Sequence, residues 1–337
     1  MLKELSELTG VSGDEGNVRA FIRGKIEKHV DEIVEDPYGN LIARKGRKHK
    51  PRIMLAAHMD EVGLMITGID KDGLLKFHAH GIMAGVLLAK RVLIGKDRIC
   101  GVIGNKPVHL VKKEEMQRLP DARSLFIDIG ASSKDAASKL VQIGDHATFD
   151  TEFSENGDII LGKAFDNRIG CYILLQLILK SDLPLYYAFT VQEEVGLRGA
   201  KIAAYRVKPD IAFAVDTTSS GEWPGEDDTP QYPVIGKGPT ITIADRSVIC
   251  DAALVSLLRE TAEQQNIPYQ IKKPMVGGTD AGTMHLSHEG VRTAVIAVPA
   301  RYIHSPLSFA SKKDIAAAGK LIDSCIQKII RKEKTWV

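Results

Sequence analysis

The sequence predicts an α/β fold in which a helix-flanked mixed sheet is interrupted by a small β insertion. Short apolar runs alternate with longer segments whose apolar residues recur at helical spacing, as expected for strands and helices that share one sheet. Between residues 63 and 162 the pattern changes to short alternating segments rich in glycine. The length of 337 residues also exceeds what one hydrophobic core usually organises. We therefore expect one domain from residues 1–62 and 163–337, and an inserted β domain from residues 63–162.

The first third of the chain contains one clear helix, one clear strand and one hairpin. Helical periodicity predicts a helix over residues 15–30, and Ser12 with Glu15 has the spacing of a capping box at its start. The apolar run 53–57 predicts a buried strand. Asp72-Gly73 lies between two apolar arms, which favours a β-hairpin in the insertion.

After residue 162 the alternation of helices and strands resumes. The apolar pattern predicts a helix over 167–180, strands over 186–191, 211–215 and 293–298, and a last helix that contains Ile315 and Ile330. The stretch 219–233, rich in glycine, proline and acidic residues, is predicted to be a surface loop.

Composition excludes several classes of partner. Lys and Arg number 45 and Asp and Glu 43, so the formal charge of +2 offers no basic surface for nucleic acid or an anionic membrane. No uncharged apolar stretch approaches the roughly 20 residues of a membrane span, and the first residues do not resemble a signal peptide. The four cysteines are scattered without a CxxC pair, so we expect small core residues and a reduced, cytoplasmic location.

Polar residues suited to metal binding follow the predicted strands. His58 and Asp60 follow the first strand, Glu193 and Glu194 the next, Asp216 a third, and His304 lies beyond a fourth. Ligands of open α/β sheets bind beyond the carboxyl ends of the strands, so we expect these side chains to meet. Asp166 joins them from the turn before a helix, although alone it would be interpreted as a helix N-cap.

This mixture of imidazoles and carboxylates suits zinc, cobalt or manganese. Asp60 could accept a hydrogen bond from the N–H group of the His58 ring and so orient that histidine for metal binding. Glu193 and Glu194 are adjacent carboxylates, which repel each other unless a cation or a shared proton offsets their charge. Since neighbouring side chains diverge in extended backbone, one can bind metal while the other acts as a general base. A solvated loop is the alternative for this pair.

Other histidines and turns have simpler interpretations. His78 and His80 have a metal-compatible spacing but lie in the β insertion away from the other candidates, and His285 and His288 follow a predicted helix start. Residues 277–281 have the composition of a turn followed by a helix cap. A role of this turn in holding a substrate through its backbone amides is a hypothesis.

Six motifs together resemble the M42 family of aminopeptidases, which includes the TET peptidases and proteins once labelled endoglucanase M or cellulase M. They are, in order, AAHMDEVG, AFDNRIG, VQEEVGLRGA, AVDTT, GGTDAG and RYIHS, and the similarity spans nearly the whole chain. The resemblance implies a zinc-peptidase-like catalytic domain interrupted by a PDZ-like β-barrel that mediates assembly. It also implies a homo-oligomer, usually a hollow dodecamer that admits unfolded peptides.

The same resemblance implies a site with two divalent ions. His58 and Asp216 would hold one ion, Glu194 and His304 the other, and Asp166 would bridge them. Glu193 would be the general base, and Asp60 would orient His58. Paired ions lower the pKa of a bridging water, and Glu193 would accept its proton during attack on a peptide with a free amino terminus.

Three alternatives stay open at the level of sequence. A dinuclear deacylase of N-acyl amino acids would use the same ligands but prefer a blocked amine. A glycoside hydrolase needs two carboxylates about 5–10 Å apart on opposite sides of a sugar bond, which suits adjacent glutamates poorly. A non-catalytic scaffold would assemble through its β insertion.

Overall fold

Apolar runs and turn residues divide the chain into a large sheet and a closed barrel. The structure, a computed structural model, describes residues 1–107, 109, 120–221, 232–272 and 275–331. In chain order its strands are β1 (Glu32–Glu35), β2 (Leu41–Lys45), β3 (Ile53–His58), β4 (Gly63–Ile69), β5 (Leu75–His80), β6 (Arg91–Ile94), β7 (Ile99–Gly104), β8 (Phe126–Asp128), β9 (His146–Phe149), β10 (Ser154–Asn156), β11 (Ile159–Gly162), β12 (Leu185–Thr190), β13 (Ile211–Ser219), β14 (Thr240–Thr242), β15 (Gln270–Lys272), β16 (Arg292–Arg301) and β17 (Ser308–Ser311).

Its α-helices flank the sheet or cap the barrel. In chain order they are α1 (Leu2–Glu7), α2 (Gly16–Ile26), α3 (Lys134–Ser138), α4 (Phe165–Lys180), α5 (Arg198–Val207), α6 (Ala252–Gln264), α7 (Ala281–Met284) and α8 (Lys312–Arg331). The long apolar helix α4 packs on β3 and β13, and α8 packs on α4, α6 and β16. None of the helices in the described ranges is long and apolar enough to cross a bilayer.

Eleven of the described strands form one mixed sheet. Its order is β1-β2-β12-β3-β13-β16-β17-β11-β10, with β14 and β15 extending from β16. The central strands β12, β3, β13 and β16 are mutually parallel. The other pairs are antiparallel, except that β14 and β15 are parallel to each other. The helix-flanked mixed sheet predicted from the apolar pattern is therefore confirmed.

The insertion forms a closed barrel of six strands in the order β4-β5-β8-β7-β6-β9. Its interior is a separate hydrophobic core that includes Ile66, Val92, Ile127 and Phe149. The predicted hairpin joins β4 to β5, and Gly73 at its turn has a φ of +88°, which a side chain would adopt only with strain. The predicted β-barrel is thus confirmed.

Strands β10 and β11 lie within the predicted insertion 63–162 but belong to the large sheet. Gly162 of β11 pairs with Ser308 of β17, and Asn156 of β10 pairs with Ile159 of β11. The barrel strands end at Phe149. The composition of residues 154–162 does not show that the chain has left the barrel for the large sheet, because the barrel and this edge of the sheet both consist of short strands. The domain division itself stays a prediction.

The predicted capping box of α2 is wrong. The helix begins at Gly16, and the Glu15 side chain makes no capping hydrogen bond to it. Glu15 accepts hydrogen bonds from the backbone N–H groups of Gly13 and Gln192, and the Ser12 hydroxyl donates to Asp60. Partners outside the helix therefore take the place of the local cap.

All four cysteines are free. Cys171, Cys250 and Cys325 are buried, as predicted for small core residues, but Cys100 is exposed. Its strand β7 alternates between the barrel interior and solvent, and Cys100 lies on the solvent face. Residues 222–231 of the predicted loop 219–233 lie outside the described part of the chain.

Candidate metal centre

The carboxyl ends of the parallel strands bring the predicted residues together. His58 is the last residue of β3, and Glu193 and Glu194 follow β12. Asp216 lies within β13, which continues to Ser219 after its pairing with β3 has ended at Ala214. His304 lies between β16 and β17. Residues separated by up to about 250 positions thus line one cavity of about 600 Å³.

Asp166 lies between the two histidines. One of its carboxylate oxygens is 3.3 Å from Nε2 of His58, and the other is 3.4 Å from Nε2 of His304. His58 Nε2 is also 3.6 Å from a carboxylate oxygen of Asp216, and His304 Nε2 is 3.4 Å from one of Glu194. The side chains therefore form two groups that share Asp166.

The carboxylate of Asp166 is available to this site because another residue caps the helix. The side-chain oxygen of Asn167 accepts the backbone N–H of Gly170, and its amide donates to the Val215 carbonyl. A Cβ at position 170 would lie 2.3 Å from that Asn167 oxygen, so only glycine allows this close approach. The N-cap alternative for Asp166 is therefore not what the structure shows.

Asp60 is fully buried and joins the histidine to the glutamates. Its carboxylate accepts the Ser12 hydroxyl at 2.6 Å and the backbone N–H groups of Glu193 and Glu194 at 3.0 and 3.1 Å. Nδ1 of His58 lies 3.4 Å from this carboxylate and 3.1 Å from the backbone carbonyl oxygen of Asp60. Burial alone would raise the pKa of Asp60, but the hydrogen bonds from His58 and Ser12 outweigh it and hold the pKa below its ordinary value.

The backbone around Glu193 and Glu194 turns sharply. Gln192 and Leu197 have φ values of +55° and +56°, a conformation that costs free energy in residues other than glycine. A Cβ at position 199 would lie 2.4 Å from the Val191 carbonyl oxygen, so the chain requires glycine there. This turn directs both carboxylates into the cavity rather than into a solvated loop, which was the alternative for this pair.

Crowded carboxylates shift the pKa values of the site. Burial, followed by the charge of Asp166, raises the pKa of Glu194 to about 8. Burial and nearby acids, including Asp216, raise the pKa of Glu193 well above its ordinary value despite the opposing charge of His58. The hydrogen bond to Asp166 raises the pKa of His304 to about 9. Burial and neighbouring negative charge together disfavour the ionised glutamates, and a bound cation would offset both effects.

The side chains fit divalent metal ions. His58 with Asp166 and Glu194, and His58 with Glu193 and Asp216, each bring ligand atoms within 4.8 Å of one another. One carboxylate oxygen of Glu194 is buried and has no hydrogen-bond partner. A buried carboxylate oxygen without a donor is costly unless a cation is bound nearby. Imidazole and carboxylate ligands of this kind are those that zinc, cobalt and manganese prefer.

A buried ion cluster beneath the site was missed from the sequence. Lys163 Nζ lies 2.7 Å from both carboxylate oxygens of Glu61, and Arg168 lies 3.3 Å from one of them. Arg168 also donates to the Met59 carbonyl at 2.9 Å. All three charged side chains are at most 3% exposed. The cluster therefore ties the segment that carries Asp60 to the start of α4.

Asp280 is a second residue that the sequence interpretation underrated. Its side chain makes no capping hydrogen bond to α7, so the predicted cap is wrong. One oxygen accepts the Thr190 hydroxyl at 2.5 Å, and the other is buried without a partner. Burial raises the pKa of Asp280 to about 7, against the opposing charge of His58. A turn signal gives no indication that an acid will be buried near a strand end.

The remaining histidines lie outside the cavity. His78 and His80 are on β5 of the barrel, where their rings make an edge contact. His285 Nδ1 is 3.0 Å from the Ala281 carbonyl oxygen of the preceding helical turn, and His288 stacks on Tyr205. None of the four lines the cavity, in agreement with their simpler interpretations.

A mixed α/β sheet with histidines and carboxylates at its strand ends, interrupted by a β-barrel, is the architecture of a hydrolase with a candidate metal centre. The model of the M42 glutamyl aminopeptidase family matches residues 39–321. The chain belongs to this family, and the predicted resemblance and the predicted aminopeptidase function are confirmed. The deacylase, glycosidase and scaffold alternatives are not favoured.

Related sequences cover nearly the whole chain. A putative aminopeptidase of Acetivibrio thermocellus is 44% identical over 330 residues, which are 97% of each chain. A lysyl aminopeptidase of Pyrococcus furiosus is 32% identical over 98% of this chain and 96% of its own. A glutamyl aminopeptidase of Lactococcus lactis is 35% identical over 90% of this chain and 88% of its own.

Solved structures show the same fold. An aminopeptidase of Desulfurococcus kamchatkensis has a TM-score of 0.92 and 38% identity, with 100% of this chain and 97% of the other covered. A TET aminopeptidase from a marine Thaumarchaeota archaeon has a TM-score of 0.94 and 35% identity over 98% and 97% of the two chains. A TET1 peptidase of Pyrococcus horikoshii, described as assembling into a tetrahedron or a large octahedral shell, has a TM-score of 0.86 and 35% identity over 96% and 97%.

Proposed function

We propose that this aminopeptidase binds two divalent metal ions and removes residues from peptides with a free amino terminus. His58 and Asp216 would hold one ion, Glu194 and His304 the other, and Asp166 would bridge them. The observation that carries this proposal is the position of Asp166, whose two oxygens face the two histidines at 3.3 and 3.4 Å. A single ion could contact only one of the two groups, and it would leave the other histidine and its carboxylate neighbour without a metal ion.

When bound, such ions polarise a peptide carbonyl and lower the pKa of a bound water. Glu193 would accept a proton from the attacking water and deliver it to the leaving amine. Its carboxylate lies 4.0 Å from His58 Nε2 and lines the cavity. Asp60 would act through other residues: it orients His58 and holds the backbone N–H groups of both glutamates.

The role of Glu193 is tested by the Glu193→Gln variant, with Glu27→Gln as an exposed control. We expect kcat of Glu193→Gln to fall by about 10²–10⁴-fold while the metal content stays at the wild-type value. Full activity of Glu193→Gln would contradict the assignment. Loss of metal together with activity would make Glu193 a ligand instead.

Substrate class is tested with aminoacyl p-nitroanilides and their N-acetylated counterparts. Protein stripped with EDTA and resupplied with zinc, cobalt or manganese should cleave only the substrates with a free amine. Cleavage confined to the acetylated substrates would instead indicate a deacylase. The metal that restores the highest kcat/KM is the ion that this centre uses most effectively.

The chain is also proposed to form a homo-oligomer, a dodecamer by analogy with the TET peptidases. Support comes from the barrel, which has its own core and lies apart from the parallel strands of the catalytic sheet. Light scattering should give a mass near twelve times the 36.8 kDa of one chain. A monomeric mass at micromolar concentration would contradict the assembly. A cytoplasmic location, suggested by the four free cysteines, also stays a proposal.

A further inference from the structure

Buried side chains from distant segments hold the backbone of the turn that carries the glutamate pair. Strand β12 ends at Thr190, and each of the next four backbone N–H groups donates to a side-chain oxygen. The pairs, at 3.0 to 3.1 Å, are Val191 with Asn40, Gln192 with Glu15, and Glu193 and Glu194 with Asp60. All three accepting residues are at most 4% exposed. Side chains therefore fix the path of the backbone from residue 191 to residue 194.

Glu15 acts on the residue directly before Glu193. One oxygen of its carboxylate accepts the backbone N–H groups of Gly13 at 2.8 Å and Gln192 at 3.1 Å. Gln192 has a φ of +55°, which residues other than glycine adopt only at a cost in free energy. Its side-chain oxygen accepts the Tyr38 hydroxyl at 2.9 Å and Nη1 of Arg198 at 3.2 Å. Both the backbone and the side chain of Gln192 are thus held in a conformation that persists only where its surroundings enforce it.

The conformation of Gln192 decides where the Glu193 carboxylate lies. A change of φ at one residue rotates the chain that follows, and Glu193 is the next residue. In the structure Glu193 lines the cavity, and its carboxylate is 4.0 Å from Nε2 of His58. A misplacement of about 1 Å in a reacting group can lower a rate by about 100-fold. An acceptor for the Gln192 N–H group therefore helps to keep this carboxylate at the reacting centre.

We infer that Glu15 is a positioning residue for the hydrolytic step, because it holds Gln192 in its left-handed conformation and so aims Glu193. This inference rests on the proposed role of Glu193 as the general base. The property required of Glu15 is an acceptor oxygen rather than a charge, since both of its partners are neutral N–H groups. Neither partner belongs to a proposed metal ligand. Glu15 should therefore affect the chemical step and leave metal binding unchanged.

The test compares Glu15→Met with Glu15→Gln in metal-loaded protein, on the aminoacyl p-nitroanilide that the wild type cleaves fastest. The two replacements are uncharged and of similar length, but only glutamine offers an acceptor oxygen. Glu15→Met should lower kcat by about 10–100-fold, with KM within about threefold of wild type and unchanged metal content. Glu15→Gln should rescue kcat to within about threefold of wild type. Asp314→Leu, which also removes a buried carboxylate that accepts two backbone N–H groups, is the control and should lower stability but not kcat.

Combination with Glu193→Gln separates the aiming of the base from a general loss of structure. If Glu15 acts through Glu193, adding Glu15→Met to Glu193→Gln should lower the remaining kcat by less than about twofold. A further loss of about 10–100-fold would overturn the inference, because Glu15 would then act on another part of the site.

Wild-type kcat in a folded Glu15→Met variant would overturn the inference, and so would equal losses in Glu15→Met and Glu15→Gln. If Glu15→Met does not fold, Glu15→Asp takes its place. Its carboxylate is one carbon shorter and should not reach the Gln192 N–H group, so wild-type kcat in this variant would be equally decisive against the inference. Full activity of Glu193→Gln would refute the proposed base itself. Wild-type kcat in Glu15→Met, with activity lost in Glu193→Gln, would leave that base standing and remove only the role of Glu15.

Discussion

Replacement of Asp60 by asparagine should weaken metal binding without opening a cavity. Asp60 makes no proposed contact with an ion, but its two oxygens together accept the Ser12 hydroxyl and two backbone N–H groups. Asparagine keeps the size of the side chain and replaces one oxygen by an NH₂ group. That group must face the N–H of either Glu193 or Glu194, where two donors would meet.

The structure gives the magnitude of the loss. A buried N–H group without an acceptor costs about 1–3 kcal/mol, which corresponds to a factor of about 5 to 150. The variant also loses the negative charge 3.4 Å from His58 Nδ1, and such supporting partners contribute about 10–100-fold to metal affinity. We therefore expect metal to bind about 10–100-fold more weakly in Asp60→Asn.

Metal affinity is measured by competition with a chromogenic chelator, and kcat/KM is measured at saturating metal. Asp314→Asn is the control, because Asp314 is also buried and accepts two backbone N–H groups but does not line the cavity. The control should bind metal as the wild type does. Wild-type metal affinity in a folded Asp60→Asn variant would refute the role given to Asp60.

Further predictions concern the stability of the protein. Glu61→Gln leaves Lys163 and Arg168 buried without a counter-charge and should lower the free energy of unfolding by about 3–5 kcal/mol in urea titrations. The exposed control Glu155→Gln should cost less than about 1 kcal/mol, and equal losses would contradict this difference. Because the folded-state pKa of Asp280 is raised to about 7, its stabilising contribution is complete below its ordinary pKa and is lost as the pH rises through about 7. Asp280→Asn should therefore stabilise the EDTA-treated protein more at pH 8 than at pH 5.5 in thermal melts, and the same gain at both values would refute this. Removal of metal should lower the melting temperature, and titration back should saturate at two ions per chain; saturation at one would contradict the paired site.

The sequence was informative wherever the signal was local. The run 53–57 and the run 293–298 predicted strands that the structure extends to Ile53–His58 and Arg292–Arg301. The rule that ligands gather at the carboxyl ends of parallel strands then located the candidate metal centre. This worked because the four central strands are parallel and neighbours in the sheet.

Features that depend on distant partners were not predictable. Ser12 has the local pattern of a helix cap, yet its partner is Asp60, which lies 48 positions further along the chain. Lys272 and Thr242 become neighbours only through the pairing of β14 with β15. Nothing in their local sequence indicates that either residue lies in the cavity wall. The pairing register of the strands, rather than the local composition, determines which of these residues become neighbours.

Because the proposed metal ligands extend from His58 to His304, the hydrolytic centre is completed late in synthesis. A nascent chain on the ribosome that has not yet released His304 lacks one of the two histidines. Neither the barrel nor the first three strands can assemble the full set of ligands alone. With this proposed set of ligands, completion of the tertiary structure would be the activating step, and an unfinished copy of this peptidase would have no complete centre with which to trim its neighbours.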